Sequence, residues 1–152
     1  MNYGSQIWGQ YLNQHVLRIV KLQNKALRII NFAKPTEPCS VLYQKSKIIK
    51  FQDNVKINNY LYVHNSINRN LPLAPTQKFH YLHENHSQHT RQSVKQCIKL
   101  PIARTSYGLY SIDSSSARIW NYYQIQHHKE NLHLSSPFSC KKKLTSYILS
   151  TY

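Results

Sequence analysis

Apolar residues recur at spacings of three and four through the first part of the chain: Trp8, Leu12, Val16, Ile19, Leu22, Ala26, Ile29, Ile30 and Ala33. That period is the mark of a helix with one apolar stripe. It predicts a helix over residues 5 to 33, with Ser5 as N-cap and Pro35 as the stop, because proline lacks an amide hydrogen and restrains Lys34. After the linker Pro35-Thr-Glu-Pro38, a short helix is expected from Ser40 to about Ile49 and a longer one from about Gln52 to Asn68. The longer one rests on Val55, Asn59, Tyr62, Val63 and Ile67, with Asp53 as a favourable charge in its first turn. Leu71-Pro-Leu-Ala-Pro75 then breaks the pattern. The three helices are expected to form a small bundle that buries Trp8, Leu12, Ile19 and Tyr62.

No apolar period survives from residue 78 to 93, which reads as a loop carrying His80, His83, His86 and His89. Residues 97–105 and 107–112 alternate apolar and polar positions and read as extended, with Gly108 where a strand would bend. Ser114, Ser115 and Ser116 offer N-caps to a helix through Ala117, Ile119 and Trp120, and a last helix covers about Lys141 to Ser150. The expected fold is mainly α: a small helical domain with a short extended, β-hairpin-like segment near 96–112. Its organisation reads as a basic helical segment (1–70), a Pro- and His-rich linker (71–95), and a part joining the extended segment to two short helices (96–152).

Composition adds the charge. Among 152 residues there are 20 Lys and Arg against 5 Asp and Glu, a formal +15. The acids Glu37, Asp53, Glu84, Asp113 and Glu130 stand singly, which argues against the converging carboxylates of two-metal nucleases and polymerases. Drift toward A/T-rich codons accounts for abundant lysine but not for the scarcity of acids. Three widely spaced cysteines, Cys39, Cys97 and Cys140, read as reduced thiols. No run approaches the roughly 18 apolar residues of a membrane span, and the start lacks a signal peptide's apolar stretch. The chain is therefore expected to be intracellular, in nucleus or cytoplasm and not secreted, with RNA or DNA as its partner by charge.

Candidate chemistry is thin. Arg18, Lys21, Lys25 and Arg28 line one side of the first helix without interleaved acids, a single-sign face suited to an anion. Tyr107, Tyr110, Trp120, Tyr122 and Tyr123 lie near Arg104 and Arg118, and aromatic faces with guanidinium groups suit unpaired bases and phosphates. For Trp120 itself a core position is the favoured reading. The four histidines have gaps that can ligate zinc, yet steps of three drift by about 60° on a helix, and a surface loop with codon-drifted histidines is the preferred account. No catalytic residues, metal site or cofactor are expected.

Several segments, read in order, resemble one family. They are Asn2-Tyr3-Gly4 with Trp8-Gly9, Leu22-Gln23-Asn24-Lys25-Ala26-Leu27-Arg28, His86-Ser-Gln-His-Thr90-Arg91, and Leu100-Pro101 through Arg104-Thr105 to Ile112. Trp120-Asn121 and a closing Lys141-Lys142-Lys143-Leu144 segment complete the set. The set is similar to the region after the polymerase thumb in jockey-like non-LTR (LINE-type) retrotransposon reverse transcriptases. The chain departs from that pattern at Gln88, at Tyr122-Tyr123 after Trp120-Asn121, and at Cys140 before the lysines. The resemblance implies a fragment without palm or endonuclease, consistent with the lack of any two adjacent acids. It further implies that Arg91, Arg104, Thr105 and Trp120, with Lys141, Lys142 and Lys143, help hold template RNA and target DNA in target-primed reverse transcription. The missing polymerase portion is then a second partner. A relic without a role and a His-rich zinc module are the alternatives.

Overall fold

A computed structural model describes residues 4–9, 14–71, 78–85, 96–127 and 134–152. The protein is mainly helical. Its elements are α1 (Ser5–Trp8), α2 (Gln14–Ile30), α3 (Cys39–Ser46), α4 (Phe51–Ile67), α5 (Leu82–Asn85), α6 (Ser106–Leu109), α7 (Ile112–His127) and α8 (Pro137–Ser150). Two compact units share them: Met1–Ile57 with Lys141–Tyr152, and Asn58–Cys140. Among the described residues no helix is long and apolar enough to cross a membrane.

In the first unit, Gly4 with a left-handed backbone precedes α1, and Ser5 is the first helical residue rather than the cap. A Cβ at Gly9 would stand 2.9 Å from Val55 Cγ2, so glycine alone permits this close approach to α4. The single helix expected over 5 to 33 is described as α1 and α2, with residues 10–13 outside the described set. α2 stops before Pro35, because Phe32 adopts a left-handed backbone (φ 51°). Two nested hydrogen bonds then close the helix, Phe32 N–H to Ile29 O at 3.2 Å and Ala33 N–H to Arg28 O at 3.0 Å.

The buried face of α2 differs from the expected apolar stripe. Val16 packs with Phe51 and Val55, with half-buried Ile19 against them. Leu27 packs with Leu42 and Tyr43 of α3. Leu22, Ile29 and Ile30 of the expected stripe stay about two-thirds exposed, at 64%, 65% and 64%. The reason lies in polar residues that take the inner face. Gln23 donates to Ile49 O (2.8 Å) and accepts from Phe51 N–H (2.9 Å), so one carboxamide clips the backbone that leads into α4. Tyr43 donates its hydroxyl proton to Asn24 Oδ1 at 2.7 Å. Asn31 donates to Ser46 Oγ at 2.8 Å. At the other end of the chain, the Tyr152 hydroxyl donates to Asp53 (2.7 Å) and accepts from Lys50 N–H (3.0 Å), while the Lys50 ammonium lies 4.2 Å from its ring centre.

In the second unit the core is aromatic. Tyr60 stacks on Trp120 at 4.6 Å between centroids and meets Tyr123 edge-on at 5.8 Å. Gln124 donates to the Tyr60 hydroxyl at 3.0 Å. Burial, with the Cys140 thiol beside it, pushes the Tyr60 phenol far above its ordinary range. His64 is buried. Its Nε2 lies 2.9 Å from Ser135 O, so Nε2 carries the proton, and Nδ1 accepts from Asn68 Nδ2 at 3.2 Å. Burial is the main cause that lowers its pKa. None of the three cysteines is in a disulfide; Cys97 and Cys140 are buried and Cys39 half-buried.

The extended segment is present after residue 96 but does not fold back on itself as a hairpin. It forms one antiparallel bridge, between Ile98 and Tyr81, with Leu82 N–H to Cys97 O at 2.9 Å and Lys99 N–H to His80 O at 3.0 Å. Its second half is helical instead: Thr105 Oγ1 accepts from Gly108 N–H at 3.1 Å, caps α6 and turns 106–109 away from the strand conformation. Within the loop expected from 78 to 93, Leu82–Asn85 forms the short helix α5. α7 and α8 both begin earlier than their sequence signals, at Ile112 and Pro137.

Candidate nucleic-acid interface

Arg18, Lys21 and Lys25 are exposed on α2. Their spacing of three and four places them on one side over about 10 Å of helix. None has an acidic partner among the described residues, where the ion pairs are Lys56–Asp53 and Lys78–Asp113, each 2.8 Å, and His80–Glu84 at 3.9 Å. Arg28 leaves this row. It is half-buried, its Nη2 reaches Glu37 O at 3.4 Å, and its Nε is buried without a partner, so it ties α2 to the linker before α3.

Lys141, Lys142 and Lys143 are exposed on α8, which begins four residues before them, so they stand in its second turn. They belong to the same unit as α2. That unit holds twelve Lys and Arg against two acids, Glu37 and Asp53, a formal +10. Lys45 and Lys47 add exposed charge at the end of α3. The run Lys45-Ser-Lys47 was visible in sequence, but it straddles a helix end and carries no period.

In the second unit, Arg104 and Thr105 are exposed, Thr105 serving as the cap of α6. Trp120, expected to contact nucleic acid, is instead a core residue. It is fully buried, one ring face lies on Tyr60, and its Nε1–H donates to Gln96 O at 3.1 Å, so no base can stack on it. Its neighbour Asn121 does the same work on the backbone as Gln23: Oδ1 accepts from Ile98 N–H (2.8 Å) and Nδ2 donates to Ile98 O (2.9 Å). Trp120 and Asn121 thus hold the extended segment against α7.

What remains open beside them is a cleft of about 440 Å³ lined by Leu100, Arg118, Tyr122 and Ile125 among others. Tyr122 and Tyr110 are roughly half exposed (55% and 45%). The Arg118 guanidinium donates to Ser114 O at 3.2 Å and to Leu109 O, which fixes it against α6 while leaving the residue exposed. Tyr123 is in the core, and nothing is described of the Tyr107 side chain.

Arg91, His86 and His89 lie outside the described residues. His80 is exposed, and the His83 ring stacks on Tyr81 at 5.2 Å. Among the described residues no group of three or more His, Cys, Asp or Glu is placed to hold a metal ion. No family model, curated protein or solved structure matches the chain.

Proposed function

We propose that the chain associates with RNA or DNA through the phosphate backbone, as a non-catalytic fragment of a non-LTR retrotransposon reverse transcriptase. The observation that carries the binding is the row Arg18, Lys21 and Lys25, exposed on α2 and without acidic partners among the described residues. Lysine and arginine that neutralise phosphates release condensed counterions, and this supplies affinity with little sequence preference. Arg104 and Lys141 to Lys143 add to the same chemistry. The ordered motifs that end in Trp120-Asn121 and Lys141-Lys142-Lys143 support the retrotransposon origin, with template and target holding as the parent role. The fragment carries out no reaction itself, and its place is intracellular, where it meets nucleic acid.

The test is a salt titration of binding to labelled single-stranded RNA and duplex DNA with Arg18, Lys21 and Lys25 all changed to alanine. These side chains are exposed, so the variant keeps the wild-type circular dichroism. The slope of log K against log salt should become shallower by about 2.7 on duplex and about 2.1 on single strands. A slope equal to that of wild type would refute the reading, as would absence of wild-type binding at low salt.

A further inference from the structure

Beside half-buried Ile19, the apolar residues that α2 leaves exposed form one wall of an open cleft of about 590 Å³. Ile19, Leu22 and Ala26 line it from α2, Ile49 and Phe51 from the far side, and the exposed Lys47 lines it too. On the helical wheel this stripe lies roughly a third of a turn from the buried face of Val16 and Leu27, and Arg18 and Lys25 border it on the other side. Ile29 and Ile30, both about two-thirds exposed, extend it toward the end of the helix. The result is an apolar trough flanked by cations.

We infer that this trough is a docking groove for an amphipathic helix whose apolar face is flanked by acidic residues. The groove is walled by α2 from Ile19 to Ala26, about 10 Å of helix, and the exposed Ile29 and Ile30 lengthen the apolar face to about 17 Å, enough for roughly three turns of a partner lying along it. Charge selects the occupant. An acidic flank would meet Arg18 and Lys25 bordering the trough and Lys47 lining it. A second copy of this chain would set the same cations against each other across a two-fold seam. Nucleic acid satisfies the cations but leaves Leu22, Ala26 and Ile49 in contact with charged backbone rather than with apolar surface. The groove is therefore a site separate in chemistry from the phosphate contacts, although Arg18 and Lys25 border both.

Two synthetic amphipathic helices with the same leucine face, one flanked by glutamate and one by lysine, test the inference by fluorescence anisotropy against the full chain. The glutamate-flanked peptide should bind at least about tenfold more tightly, and salt should narrow the difference. Leu22→Asn removes an apolar anchor without adding charge, at an exposed position that does not endanger folding. It should weaken the glutamate-flanked peptide by about tenfold while leaving affinity for single-stranded RNA unchanged. Equal binding of the two peptides, or indifference to Leu22→Asn, would overturn the inference. So would sedimentation that shows a dimer abolished by Leu22→Asn, since the occupant would then be a second copy.

Discussion

Two carboxamides carry much of the local architecture. Gln23 and Asn121 each offer a donor and an acceptor to one stretch of backbone, Ile49 to Phe51 in one unit and Ile98 in the other, and so replace a neighbouring strand with a side chain. This satisfies buried backbone groups that would otherwise be costly. Asn121→Ala should destabilise the protein by about 1–3 kcal/mol, because it leaves the Ile98 amide and carbonyl without partners. Thermal unfolding measures it, and a change below about 0.3 kcal/mol would contradict the clip. His64 adds a pH dependence. Its folded pKa lies below the ordinary value near 6.5, so the unfolded chain binds the proton more readily than the native one. Stability due to this group is complete above about pH 6.5 and declines as pH falls through the lowered folded value. The melting temperature should drop on acidification below that point, and His64→Gln should flatten the drop.

At the scale of the elements, the helices were legible wherever an apolar period met a proline or a polar break. α3 and α4 stand within a few residues of their expected bounds. The orientation of α2 is not legible in the sequence, because Gln23 and Asn24, with Asn31 just past the helix end, look like solvent residues and make its inward contacts. The same blindness made Trp120 a candidate for stacking, since burial depends on Tyr60, sixty positions away in the chain. Helix ends were obscured for another reason. The chain has three glycines, and the left-handed residues that close α2, α3 and α4 are Phe32, Lys47 and Arg69, with φ of 51°, 53° and 56°. Each is followed by the nested bonds of a helix terminus, such as Ile48 N–H to Tyr43 O at 3.1 Å and Asn70 N–H to Asn65 O at 2.8 Å. A side chain in that conformation costs about 1 kcal/mol relative to glycine. Phe32→Gly, at a position 97% exposed, should raise stability by about that amount in chemical denaturation. A loss of stability would show that the Phe32 ring makes contacts that outweigh the strain.

Across the whole molecule, a charge of +15 on 152 residues sets stability and binding in opposition. Cations repel one another most where they are densest, in the unit that holds twelve of them. Added salt screens that repulsion, so the melting temperature should rise by a few degrees between about 50 and 300 mM while affinity for nucleic acid falls. Melting that is flat or declining over this range would show that self-repulsion is not a significant cost. The opposite signs also let a loss of binding at high salt be separated from unfolding. The buried thiols have a practical consequence of their own. Cys39 is partly open, whereas Cys97 and Cys140 sit at 1% and 0% exposure in the aromatic unit. Alkylation needs contact with reagent, so a native sample should gain one adduct quickly and the next two only as fast as that unit opens. Mass spectrometry of the adduct ladder therefore turns the chain's own cysteines into a clock for local opening, with no engineered label; a single common rate for all three would mean the aromatic core offers them no shelter.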